Sequence, residues 1–177
     1  MLRTPVSLLI VVCIGLFGVS TMAVAQSSSA SEARLKEKNI TLPAAPPAGG
    51  NYVDTVRVGN LLFVAGNTSR DGAPLGKVGK DLTVEQGTQA ARYAGLLLLA
   101  KTRAALGSLD RIKRVVKVVG MVTSADGFGE QARVMNGFSD LLVEVFGDAG
   151  KHARTSFGVA ALPGNAPVEV EAIFEVE

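Results

Sequence analysis

The chain has 177 residues, of which 47% are hydrophobic and 19% charged, with a formal net charge of +2. That is enough for one domain with a proper core, and the balance is that of a globular chain rather than a disordered one. No dense Lys/Arg block occurs, which removes the electrostatic footprint expected of a nucleic-acid binder.

Residues 1–25 read as a signal peptide. Arg3 supplies the positive start, "SLLIVVCIGLFGV" the apolar run, and Ala23, Val24 and Ala25 the small residues of a cleavage site. The run is short for a membrane span and soon gives way to polar residues. An uncleaved anchor is the alternative, and "IVVC" matches a lipoprotein cleavage site poorly. The expectation is an exported protein, periplasmic or secreted, with no stable membrane span after cleavage. The only cysteine, Cys13, lies in the apolar run. The mature chain therefore has no disulfide framework, thiolate nucleophile or thiolate metal site.

Residues 26–50 are polar and end in a Pro/Ala/Gly stretch, which reads as a flexible arm; the folded unit is expected over 51–177. "NYVDTVRVGNLLFVAG" reads as two strands joined by a Gly59-Asn60 turn. "NTSRDGAPLGKVGK" is an irregular, Gly-rich loop. It is not a phosphate-binding loop, since its glycine spacing is wrong and Val78 cannot ligate magnesium.

Thr83 and Gln86 form a capping-box pattern that opens a helix, Ala90, Ala94, Leu97, Leu98 and Ala105 lie on its apolar faces, and Gly107 stops it. "RIKRVVKVVGMVTS" is β-branched and apolar on both faces after Arg114, as in an internal strand. A second helix is expected from about Gly127 to Phe146, with Val134, Phe138, Leu141, Leu142 and Val145 inward. Strands at about 154–160 and 168–176 close the chain. The order is β-β-α-β-α-β-β, an α+β two-layer domain with a mixed sheet and two helices on one face. The other face is left partly apolar, which predicts self-association.

The chemistry open to such a chain is narrow. Its one histidine, His152, stands in a Gly/Lys loop and reads as solvated, and no G-x-S-x-G elbow accompanies it. A His-rich metal site is impossible, and no EF-hand spacing occurs. Arg154 heads a strand of small residues: its fork suits a carboxylate, but on the residues alone an ordinary surface arginine is the better reading. Glu169, Glu171 and Glu175 alternate with apolar residues, as on a half-exposed strand.

"ARTSFGVAALPGNAPVEVEAIFEV" resembles the closing signature of the RidA/YjgF family, the reactive-intermediate deaminases also called L-PSP endoribonuclease-like proteins. "YVDTVRVGNLLFVAG" resembles that family's opening hairpin and "VMNGF" its Asn-bearing helix, so the resemblance spans about Tyr52 to Glu177. It implies a chorismate-mutase-like fold and a homotrimer with clefts between subunits. It also implies hydrolysis of 2-imino acids to 2-keto acids and ammonia without cofactor or metal. Arg154 matches the arginine that holds the substrate carboxylate, and Glu169 the glutamate that positions or activates water. Tyr52, Asn136 and Gly66 match residues of the cleft. Ser156 stands where many members carry cysteine, the loop at "AGNTSRDG" departs from the common "SGQ", and the approach to Arg154 is one residue longer. The implied partner is a small carboxylate-bearing metabolite and not nucleic acid. A trimer that binds such a metabolite without turning it over is the alternative. Ribonuclease activity is disfavoured, because neither a basic groove nor stacking aromatics are evident.

Overall fold

The computed structural model describes residues 31–177. Its elements are α1 (Ser31–Glu37), β1 (Thr55–Val58), β2 (Leu61–Thr68), α2 (Val84–Leu106), β3 (Ile112–Thr123), α3 (Gln131–Val134), α4 (Asn136–Phe146), β4 (Ala153–Val159) and β5 (Val168–Val176). The strands form one sheet in the order β1-β2-β5-β3-β4, with β3 and β4 parallel and every other pair antiparallel. The expected mixed sheet and α+β class are therefore observed. Among the described residues, no helix is long and apolar enough to cross a membrane. The expected signal peptide lies outside the described residues.

Local sequence explains most boundaries. Gln86 N–H donates to Thr83 Oγ1 over 3.2 Å and Thr83 N–H to Gln86 Oε1 over 2.9 Å, which completes the capping box at the start of α2. The helix ends at Gly107, whose φ of 83° suits a residue without a Cβ. Strict alternation in β5 sends Val168, Val170, Ala172, Phe174 and Val176 to the helical side, where all are buried. They meet Ala90, Ala94 and Leu98 of α2 and Phe138, Leu141, Leu142 and Val145 of α4 in a single core. Ala105, expected inward, is exposed near the end of α2.

The opposite face of the sheet has no helix over it. Val56, Val58, Phe63 and Phe157 stand exposed there, as the expectation of an apolar open face requires. A groove of about 300 Å3 crosses this face, with Lys117 and Glu171 as its charged residues besides Asp54.

Two further expectations need correction. The helix expected from Gly127 to Phe146 is shorter and broken: α3 begins only at Gln131, and Met135 interrupts it before α4. Met135 is fully buried against the bare backbone of Gly120, where a Cβ would come within 2.3 Å of its methyl carbon. The flexible arm is likewise not flexible throughout, for residues 31–37 form α1 docked on the domain. Ser31 N–H and Glu32 N–H donate to Asp110 Oδ1 at 2.9 and 3.1 Å, Glu32 Oε1 accepts from Leu109 N–H at 3.0 Å, and Leu35 and Leu42 are buried in the core. Composition alone missed this because the docking partner is 79 residues away.

Candidate functional site

The sequence-predicted site residues fall into two clusters. The first surrounds Arg154. In parallel register Arg154 lies beside Val118 and Ser156 beside Gly120, so both side chains sit on the helical side of β4, an edge strand of the sheet. The guanidinium reaches the break between α3 and α4. Nη1 donates to Asn136 Oδ1 at 3.0 Å and to Ser139 Oγ at 2.9 Å, and Nη2 donates to the Ala132 carbonyl at 3.0 Å. Three of the five N–H donors of the fork are thereby used, and Nε–H with one Nη2–H have no partner among the described residues. Asn136, expected in the cleft, spends its carbonyl on Arg154. Ser156 is half-buried on the same face.

His152 joins this cluster and is not the solvated loop residue expected. It is half-buried, with Nε2 3.1 Å from Ser139 Oγ and Nδ1 2.6 Å from the Gly150 carbonyl. Burial pushes its pKa below the ordinary imidazole value; the Gly150 carbonyl opposes the shift and the Arg154 charge adds to it. Sequence reasoning missed both Ser139 and His152. The available signal was the i, i+3 spacing of Asn136 and Ser139, which puts both on one helix face.

The second cluster surrounds Glu169. The side chain points to the open face of the sheet, opposite to its buried neighbours Val168 and Val170. Its partner strand is irregular here: the β2–β5 register shifts between Val64 and Asn67, so Ala65 and Gly66 have no direct β5 partner. The carboxylate lies on the Gly66 backbone, where a Cβ would come within 2.0 Å of Glu169 Oε1. Only glycine leaves that space. Glu169, Gly66 and Tyr52 line one cavity of about 350 Å3, together with Arg70, Lys101 and the Pro46–Pro47 segment. Tyr52 is exposed, and its hydroxyl accepts from Gly49 N–H at 3.2 Å. Lys101 is buried and pairs with Asp54 at 2.6 Å. Burial raises the Glu169 pKa above the ordinary carboxylate value, and Glu171 on the same strand raises it further.

Within one chain the clusters do not meet. Arg154 aligns through Val118 with Ala172 on the helical side, whereas Glu169 stands three residues earlier in β5 on the open side, with β3 between the two strands. One half of the arrangement presents donors suited to a carboxylate, and the other a carboxyl group with raised proton affinity. Among the described residues, no group of three or more His, Cys, Asp and Glu side chains gathers as a metal site would require.

Residues 32–175 match the model of the YjgF/chorismate mutase-like family, a family also described provisionally as endoribonucleases. Protein TCP17 of Trypanosoma cruzi is 45% identical over 148 residues, covering 81% of this chain and 92% of that protein. The RutC family protein y4sK of Sinorhizobium fredii is 33% identical over 132 residues, covering 75% of this chain and 92% of its own. Among solved structures, the protein Atu1372 of Agrobacterium tumefaciens superposes with a TM-score of 0.77 at 43% identity, covering 85% of this chain and 94% of that one.

Proposed function

Because the chain belongs to the RidA/YjgF family, we propose that it is a hydrolytic deaminase of small 2-imino acids, working in clefts that neighbouring copies complete. The observation that carries this reading is the separation of the two clusters. Arg154 and Glu169 lie on opposite faces of one sheet, so a single small molecule can touch both only if they come from different chains. The exposed apolar face formed by Phe63, Phe157 and their neighbours supports an assembly of copies, and a homotrimer is the form proposed.

The chemistry asks little of the protein. The carbon of a protonated imine is already electrophilic, so the site must orient the substrate and place a water. Arg154 offers Nε–H and Nη2–H to the substrate carboxylate. Glu169, in its ionised form, takes a proton from water as the oxygen bonds to the imine carbon and the C=N π pair moves to nitrogen. Returning that proton to nitrogen makes the amine a leaving group. The C–N bond then breaks as the C=O bond forms, and the hydroxyl proton leaves on ammonia as ammonium. The sum is one iminium and one water in, one 2-keto acid and one ammonium out. A carboxyl group whose pKa is raised from the ordinary range is better matched to this exchange near neutral pH. Tyr52 and Gly66 bound the cleft on the Glu169 side, and Ser156 lies beside Arg154 on the other.

Ammonia release from 2-iminopropanoate or 2-iminobutanoate tests the proposal, with Arg154→Ala and Glu169→Gln as controls. Activity unaffected by Arg154→Ala removes the carboxylate clamp. Pyruvate held by Arg154 without any turnover of imines makes the protein a carboxylate-binding assembly instead. Export is proposed as well, on the charged start, apolar run and Ala23–Ala25 motif of the first 25 residues. Recovery of a chain shortened to Gln26 from the periplasm or medium tests that.

A further inference from the structure

Ser139 and His152 belong to no role assigned so far, yet both are tied to Arg154. The hydrogen-bond pattern allows one arrangement of protons for a neutral ring. The Gly150 carbonyl can only accept, so His152 Nδ1 carries the hydrogen of their 2.6 Å bond. Nε2 of that neutral ring is then an acceptor, and the Ser139 hydroxyl 3.1 Å away must donate to it. With its hydrogen committed, the Ser139 oxygen presents lone pairs, and Arg154 Nη1–H donates to one of them at 2.9 Å. The lowered pKa of the buried imidazole keeps the ring in the form this order requires. The far end is anchored too: Gly150 packs so closely on α4 that a Cβ would come within 2.3 Å of the Leu142 carbonyl oxygen.

We infer that Ser139 and His152 are positioning residues that lock the Arg154 guanidinium, through the one-directional chain Arg154–Ser139–His152–Gly150, in the orientation that leaves Nε–H and one Nη2–H for a carboxylate. The inference rests on the proposed role of Arg154. Asn136 and the Ala132 carbonyl fix two points of the guanidinium. Ser139 supplies the third, and three points define the plane of the fork. An arginine held this way loses its rotamer freedom before ligand arrives, so less affinity is lost to ordering it on binding. His152 acts one step further out: without its acceptor nitrogen the Ser139 hydroxyl is free to rotate and aim its hydrogen elsewhere.

The test combines a spectroscopic readout with kinetics on the full chain. The Nε–Hε order parameter of Arg154, assigned by the loss of its signal in Arg154→Lys, is measured by NMR. The variants are Ser139→Ala, Ser139→Thr, His152→Ala and His152→Gln, each checked for cooperative melting at neutral pH. Ser139→Ala and His152→Ala should lower the order parameter, raise the Kd for pyruvate and the KM for 2-iminopropanoate about tenfold, and leave kcat within about twofold. Ser139→Thr keeps the hydroxyl and His152→Gln supplies an acceptor oxygen, so both should stay within about threefold of the parent. An Arg154 order parameter unchanged in folded Ser139→Ala and His152→Ala overturns the inference. Should one alanine variant fail to fold, the other decides alone, and a His152→Gln variant as loose as the alanine form also counts against it. If the parent binds no pyruvate while the alanine variants still loosen Arg154, the positioning chain stands and the carboxylate reading falls.

Discussion

Arg154 and Glu169 project from opposite faces of the same sheet, on strands separated by β3. Neither can assist the other within a chain. If the proposed clefts join Arg154 of one copy to Glu169 of the next, inactive variants must complement each other. Arg154→Ala and Glu169→Gln should each lose at least a hundredfold in kcat/KM. Unfolding and refolding the two together at equal ratio should restore about a quarter of parental activity, since each mixed cleft needs one intact contribution from each side. Mixed assemblies as inactive as their parents would locate both residues in one chain's site or in none.

Gly66 provides a second test. Its missing side chain is the space occupied by the Glu169 carboxylate. Gly66→Ala should displace that carboxylate and lower kcat at least tenfold while the protein still melts cooperatively. A variant with parental kcat would mean that the position of the carboxylate is not critical.

The open face yields a third. Phe63 and Phe157 are 40% and 43% exposed in a single chain. If copies bury this face, Phe157→Glu places an unpaired charge in an apolar interface and should shift sedimentation toward the lone chain, with activity lost in parallel. Unchanged sedimentation would leave the face free in solution.

Acid–base linkage gives a fourth. The folded-state pKa of His152 lies below its unfolded value near 6.5, so the unfolded chain binds the proton more readily. Stability is then full above that value and is lost as pH falls from 6.5 through the folded-state value. Glu169 has the opposite sign. Its folded pKa lies above its unfolded value near 4.5, so its contribution is full below 4.5 and is lost as pH rises through the folded-state value. Melting temperature against pH should therefore flatten below pH 6.5 in His152→Gln and above pH 4.5 in Glu169→Gln, each relative to the parent. Curves parallel to the parent's would deny that these groups carry the shifts.

How much of this was legible in the chain depended on the range of the determining interactions. Thr83 and Gln86 are three residues apart, and β5 alternates without interruption, so both elements could be read directly. The break at Met135 could not be. Helical periodicity continues through Val134, Phe138, Leu141 and Val145, and the interruption coincides with a close approach to Gly120 on another strand. His152 misled for the same reason: its neighbours Lys151 and Gly150 look solvated, while its partner Ser139 lies 13 residues earlier on α4. The resemblance of the closing strands pointed to Arg154 and Glu169, but no pattern in one chain shows that they face apart.

The docking of α1 moves the practical edge of the domain. A chain trimmed just before Asn51 would keep every strand and the whole of α2, and so look intact on paper. It would nevertheless lose Leu35 and Leu42 from the core, strip the Asp110 carboxylate of both its amide donors, and remove Pro46 and Pro47 from the wall beside Glu169. A shortened protein that melted early and handled bulkier ligands would owe both defects to the loss of an arm that composition marks as dispensable.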